Sequence, residues 1–137
     1  MRNYQLLDAT SAEKDNVFKL STKEENPEQP LLSISREGAF VSISASFGPL
    51  EIALRPRYSE LTRQLTSLQP VPGLATTRQV GTMNSYVAFG LTKDGRLVLR
   101  PTIVADARGH LTFNFIISAE AYQAMQDWLG MDENSEA

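Results

Sequence analysis

A chain of 137 residues with 42% hydrophobic and 21% charged residues has the composition of one folded domain, long enough to bury a core without metal or disulfide. It contains no cysteine and one histidine, His110, which excludes disulfides, thiolate metal sites, iron–sulfur clusters, thiol nucleophiles and histidine-based metal clusters. The formal net charge of −3 hides an uneven distribution: residues 30–126 hold nine bases, eight of them arginine, against six acids, and the acidic excess lies at the two ends.

In chain order, Met1–Asp8 lacks the apolar run of a secretory signal, and no stretch approaches the roughly 18 apolar residues of a membrane span; a cytoplasmic location is expected. Residues 10–30 are polar, end in Asn26-Pro27-Glu28-Gln29-Pro30 and read as loop, with a short strand at 16–23 where Val17, Phe18 and Leu20 supply β-formers. Period-two alternation then predicts strands at 31–35 and 40–47 around the turn Arg36-Glu37-Gly38. In the second, Val41, Ile43, Ala45 and Phe47 share one face, and Ser42, Ser44 and Ser46 the other. Gly48-Pro49 turns the chain into a third strand, where Leu50, Ile52 and Leu54 alternate with Glu51, Ala53 and Arg55. Pro56 stands where a helix can begin, and Tyr58, Leu61, Leu65 and Leu68 place a helix over 57–68.

The same order recurs. A weaker strand at 74–80 precedes an alternating strand at 86–92, and the turn Lys93-Asp94-Gly95 falls 57 residues after its counterpart. A strand at 97–105, a turn at Ala107-Arg108-Gly109 and a strand at 110–117 follow, the last with Leu111, Phe113, Phe115 and Ile117 inward. Ser118 is a good N-cap for a helix over 119–129 with the stripe Tyr122, Met125, Trp128 and Leu129, closed by Gly130. The reading is α+β: one domain over 1–137, built from two antiparallel β-β-β-β-α repeats at about 16–69 and 74–130, helices covering one face of the sheets, with an acidic polar tail at 131–137. Arg55-Pro56 and Arg100-Pro101 both put proline at or inside a strand end, which predicts edge positions or bulges.

Catalytic constellations are missing from the sequence. There is no Gly-x-Ser-x-Gly elbow and no glycine-rich phosphate loop, and His110 opens a strand just after a turn. Glu37 and Asp94 match across the repeat, but turn composition alone accounts for both. The chain is expected not to be an enzyme and to need no cofactor or metal. The alternation instead leaves an outward set rich in hydroxyls and arginine: Ser33, Ser35, Ser42, Ser44, Ser46, Arg55, Tyr86, Arg96, Arg100, Thr102 and Thr112 among them. Such a face suits a nucleic-acid backbone, with Arg55, Arg96 and Arg100, joined by Arg36, Arg57 and Lys93, meeting phosphates and Tyr86 stacking on bases. The acidic ends and a pI near 5.1 favour the alternative, a protein-interaction or assembly module on the same scaffold, self-association through sheet edges being its natural form.

The segment Leu91-Thr92-Lys93-Asp94-Gly95, a long hairpin, and Phe115-Ile116-Ile117-Ser118-Ala119-Glu120-Ala121-Tyr122 entering the last helix are similar to the Whirly family of single-stranded-DNA-binding proteins. The resemblance covers about residues 31–130 in topology. It implies a fold of two β-β-β-β-α units and binding of single-stranded nucleic acid. The Lys-Gly-Lys-Ala-Ala-Leu motif of that family is absent from this chain, so no functional residue is carried over.

Overall fold

Apolar residues at every second position draw most of the chain into strands. The computed structural model, which describes residues 3–131, arranges them in two sheets with two helices. Strand β1 (Gln5–Leu7) belongs to the first sheet, and the chain then crosses at Asp8 into the second. There β2 (Ala9–Glu13), β3 (Val17–Ser21), β4 (Leu31–Glu37), β5 (Phe40–Phe47) and β6 (Leu50–Leu54) lie side by side in chain order, all antiparallel. Two-residue separation between Glu37 and Phe40 fixes the β4–β5 register, with Gly38 at φ +65° in the turn, a conformation glycine adopts without steric cost.

Helix α1 (Tyr58–Thr66) leads into β7 (Pro70–Val71) and β8 (Arg78–Gly81), followed by β9 (Ser85–Thr92), β10 (Leu97–Asp106), β11 (Gly109–Thr112), β12 (Phe115–Ile117) and α2 (Ala119–Leu129). These strands complete a mixed seven-stranded sheet in the order β1-β12-β10-β9-β7, with β11 also on β10 and β8 also on β9; the β1–β12 and β7–β9 pairs are parallel. The inner residues of both sheets share one core. Phe18, Leu20, Leu32, Ile34 and Ile43 from one meet Leu7, Phe89, Leu97, Leu99, Phe115 and Ile117 from the other. Leu61 and Leu65 of α1 and Tyr122, Met125 and Leu129 of α2 complete it. Trp128 stacks on Phe18 with ring centroids 5.6 Å apart, and the Tyr58 hydroxyl donates to the Leu129 carbonyl, tying the first helix to the end of the second.

The α+β class and the helix at 119–129 agree with the sequence reading. Ser118 caps that helix by accepting the Ala121 N–H at 3.2 Å, and Gly130 closes it in the left-handed region. The two repeats do not survive as copies. The first unit is a plain meander, whereas the second takes in β1 and β7 as parallel neighbours and branches at both β9 and β10. Residues 10–30, read as loop around one short strand, contain β2 and β3. The strand expected over 110–117 is two strands separated by Phe113-Asn114. Proline explains the break: Pro101 of β10 has no N–H to give, its carbonyl accepts from Phe113 N–H at 3.0 Å, and pairing passes from β12 to β11 at that point. Leu111, expected inward, is 39% exposed because β11 runs past the core with the end of β10.

Pro56 is not the first helical residue either. Arg57 holds the cap position, and the extended chain before it continues the sheet: Val41 N–H donates to Pro56 O and Tyr58 N–H to Ala39 O, each at 2.9 Å. Among the described residues no helix is long and apolar enough to cross a membrane. Beyond Met131, the acidic tail lies outside the described residues.

Candidate nucleic-acid interface

The alternation gives each sheet an outer face, and the two faces differ. On the five-stranded sheet the register aligns Lys19, Ser33, Ser44 and Ala53 in one row and Val17, Ser35 and Ser42 in the next. These residues are half-buried or exposed, so the face presents a field of hydroxyls to solvent. On the seven-stranded sheet the corresponding residues Ala88, Gly90, Val98, Thr102 and Ile116 are buried. The loop between β7 and β8 crosses this face: a Cβ built on Gly90 would lie 1.9 Å from the Ala75 carbonyl oxygen, and Thr77 N–H donates to Phe89 O at 2.7 Å. Around Gly90 the outward surface expected from the alternation is therefore occupied by the chain itself.

The predicted phosphate-binding residues fall into two groups. Three of them lie near the end of the five-stranded sheet where β4 turns into β5, two on its outward face and one on its inward side. Because residues 56–58 keep pairing with the start of β5, Arg55 and Arg57 flank Phe40, their guanidinium carbons 5.4 and 5.2 Å from its ring centroid. Arg55, its side chain 60% exposed, also pairs with Glu37 at 3.1 Å, while Arg57 is exposed. Arg36 lies on the inward side of β4, in register with Val41, and its guanidinium sits 3.7 Å above the Tyr58 ring. Its Nε is buried with no hydrogen-bond partner among the described residues. Each guanidinium thus lies against an aromatic ring in a cation–π contact. Tyr86 stands close by: it and Arg55 line one cleft of about 110 Å³ between the end of β6 and the β8–β9 hairpin.

The other predicted residues lie elsewhere. Lys93 and Arg96 occupy the opposite end of β9, some six residues and roughly 20 Å from Tyr86. There they line a separate cleft of about 550 Å³ with Tyr4, Leu74 and Ile116. Arg96 Nε is 3.0 Å from an Asp94 carboxylate oxygen. The Thr92 hydroxyl donates to the other oxygen, and that bond, with Arg96, holds Asp94 below the usual carboxylate range. Arg100 sits between the two ends and donates through Nε to Asn114 Oδ1 at 2.9 Å, spanning the β11–β12 break.

Sequence reasoning missed two members of the corner, Phe40 and Tyr58. Phe40 was legible: it shares parity with Ser42, Ser44 and Ser46 and so belongs to the outward face. Tyr58 was assigned to the helix stripe, and its contact with Arg36 depends on the β4–α1 approach, which carries no local signal. Among the described residues no group of three or more His, Cys, Asp or Glu side chains is placed to hold a metal ion. Compared with protein-family models, curated proteins and solved structures, the chain matches none.

Proposed function

We propose that this chain is a non-catalytic binding protein that takes single-stranded nucleic acid along the open hydroxyl face of the five-stranded sheet, with phosphates held at the arginine corner. The observation that carries this reading is the corner itself: Arg55 and Arg57 flanking Phe40 on the outward face, beside a row of serines, with Glu37 as the paired carboxylate and Arg36 behind them on the Tyr58 ring. Guanidinium groups match phosphate geometry, and serine hydroxyls add contacts that do not read sequence. Tyr86 supplies a stacking surface beside Arg55. A Whirly-like architecture belongs to the same proposal, supported by the antiparallel meander that runs into α1 and the hairpins that precede α2.

Anisotropy of a labelled single strand of about 30 nucleotides, followed as salt is raised, tests it. Arg55→Ala/Arg57→Ala should weaken binding about tenfold or more at low salt and, with two phosphate contacts gone, flatten the log–log salt dependence by about 1.4. Lys93→Ala/Arg96→Ala, at the far end of β9, should change either quantity much less. Equal losses from both pairs, or no salt dependence, would sink the corner as the phosphate site.

A second reading, a protein-interaction module on the same face, is favoured by the pairing of its rim charges: Lys19 with Glu13 at 3.9 Å and Arg55 with Glu37. A near-neutral hydroxyl field suits a protein partner better than a polyanion. Failure of the oligonucleotide to bind even at low salt would leave this reading in place.

A further inference from the structure

A strand at the edge of a sheet presents unpaired N–H and C=O groups, and folded chains guard such edges with proline, charge, bulges or covering elements. Most edges here are guarded. Helix α1 packs on β8. β6 lies between Pro49 and Pro56, carries Glu51, and has its end facing the β8–β9 hairpin across a narrow cleft. β1 is only three residues long. β2 is different. It runs five residues, Ala9-Thr10-Ser11-Ala12-Glu13, with no proline and one charge, at its last position, and everything from Thr10 onward is exposed. Helix α2 also comes against β2, but on the strand's far side no strand of the described residues pairs with it.

We infer that β2 is a self-association edge: it pairs antiparallel with β2 of a second copy about a two-fold axis through Ser11. Keeping the two hydroxyl faces level requires opposed residues to have equal parity, because side chains alternate between faces. Of the registers that satisfy this, the one centred on Ser11 engages all five residues. It sets Ser11 against Ser11, Thr10 against Ala12, and Ala9 against Glu13 of the second copy. Glu13 then faces alanine rather than its own copy, so the strand is self-complementary in charge, as an isologous contact demands. The product is one ten-stranded sheet whose serine face is continuous across the axis. Five residue pairs bury far less than a standard interface, so the dimer is weak and in exchange with the single chain. The inference is independent of nucleic-acid binding.

Sedimentation velocity of the full chain from about 10 µM to about 1 mM should show the average mass rising from one chain toward two. Ser11→Lys and Ser11→Glu each place like charges across the axis, at an exposed position, and each should stay at one-chain mass over that range while keeping its thermal midpoint. Mixed in equal amounts, the two variants should recover association, because lysine then faces glutamate. A one-chain mass for the unmodified protein throughout overturns the proposal. So does association of either variant alone to the unmodified extent, and failure of the mixture overturns the Ser11-centred register.

Discussion

Gly90 is glycine because of what crosses it. Its backbone is not in the left-handed region, so alanine meets no conformational penalty there, and the whole cost of Gly90→Ala is steric. The new Cβ would lie 1.9 Å from the Ala75 carbonyl oxygen and 2.9 Å from its carbon, both main-chain atoms that cannot swing aside. The 72–77 loop must retreat by about 1 Å before even a tight contact is reached, and overpacking of this kind costs about 1–3 kcal/mol. The same retreat breaks the adjoining Thr77 N–H···O bond to Phe89, worth about 1 kcal/mol. Together these give about 2–4 kcal/mol. With an unfolding entropy of about 2.1 cal/mol/K per residue, that lowers the melting midpoint by roughly 7–14 °C. Gly38→Ala is the control. Gly38 has φ +65° and nothing within 4 Å of an added Cβ, so it incurs the left-handed penalty alone, about 1–2 kcal/mol. Calorimetry of both variants, with hydrogen exchange at Thr77, checks the argument. A Gly90→Ala midpoint within a degree of the unmodified protein, or above that of Gly38→Ala, would refute the loop's placement over β9.

Three further outcomes are expected. Burial pushes the Tyr122 hydroxyl up to about 12 from an ordinary value of 10.0; the raised folded value means its contribution is complete below pH 10 and is lost as pH rises toward 12. Urea unfolding at pH 9 and 11.5 should show a loss of about 2 kcal/mol that Tyr122→Phe lacks, and an identical loss in the variant would contradict the burial. Thr92→Val removes the main hydrogen bond holding Asp94 down, so the carboxyl should titrate at higher pH, seen by side-chain NMR; an unmoved titration would assign the effect to Arg96. Ser118→Ala uncaps α2 and should cost about 1 kcal/mol, roughly 3 °C in the melt, with no change in the core.

How far the sequence reached depends on whether a feature is local. β5, β6 and α2 were legible to the residue or nearly so, because alternation, a turn glycine and a Ser…Gly pair of caps are written within a few positions. β1 was not, because Gln5–Leu7 acquires its partner only at Phe115–Ile117. The sealed outer face of the seven-stranded sheet was not read either, although Ala88, Gly90 and Val98 at its outward positions were the trace: small side chains mark where backbone passes close. In the candidate site, the arginines were named from the alternation, but their division between two ends of the molecule follows from the β9–β10 hairpin's length and from a strand that continues past Pro56. Periodicity does not encode that continuation.

The two sheets also differ in when they can exist. β2 to β6 pair only with their neighbours in chain order, so that sheet can form as soon as Leu54 has been made. The other sheet includes β1, whose partner lies 110 residues downstream at Gln5↔Phe115. During synthesis β1 must therefore wait until β12 has followed it. Leu7, with no exposed surface in the finished protein, stays solvated until β12 arrives. Closure of that long loop is a late, non-local event of the kind that slows folding. A chain shortened before Phe115 would hold a formed meander and an unclaimed β1, which makes the interval between the synthesis of β1 and that of β12 the one in which this fold is most exposed to chaperones and to aggregation.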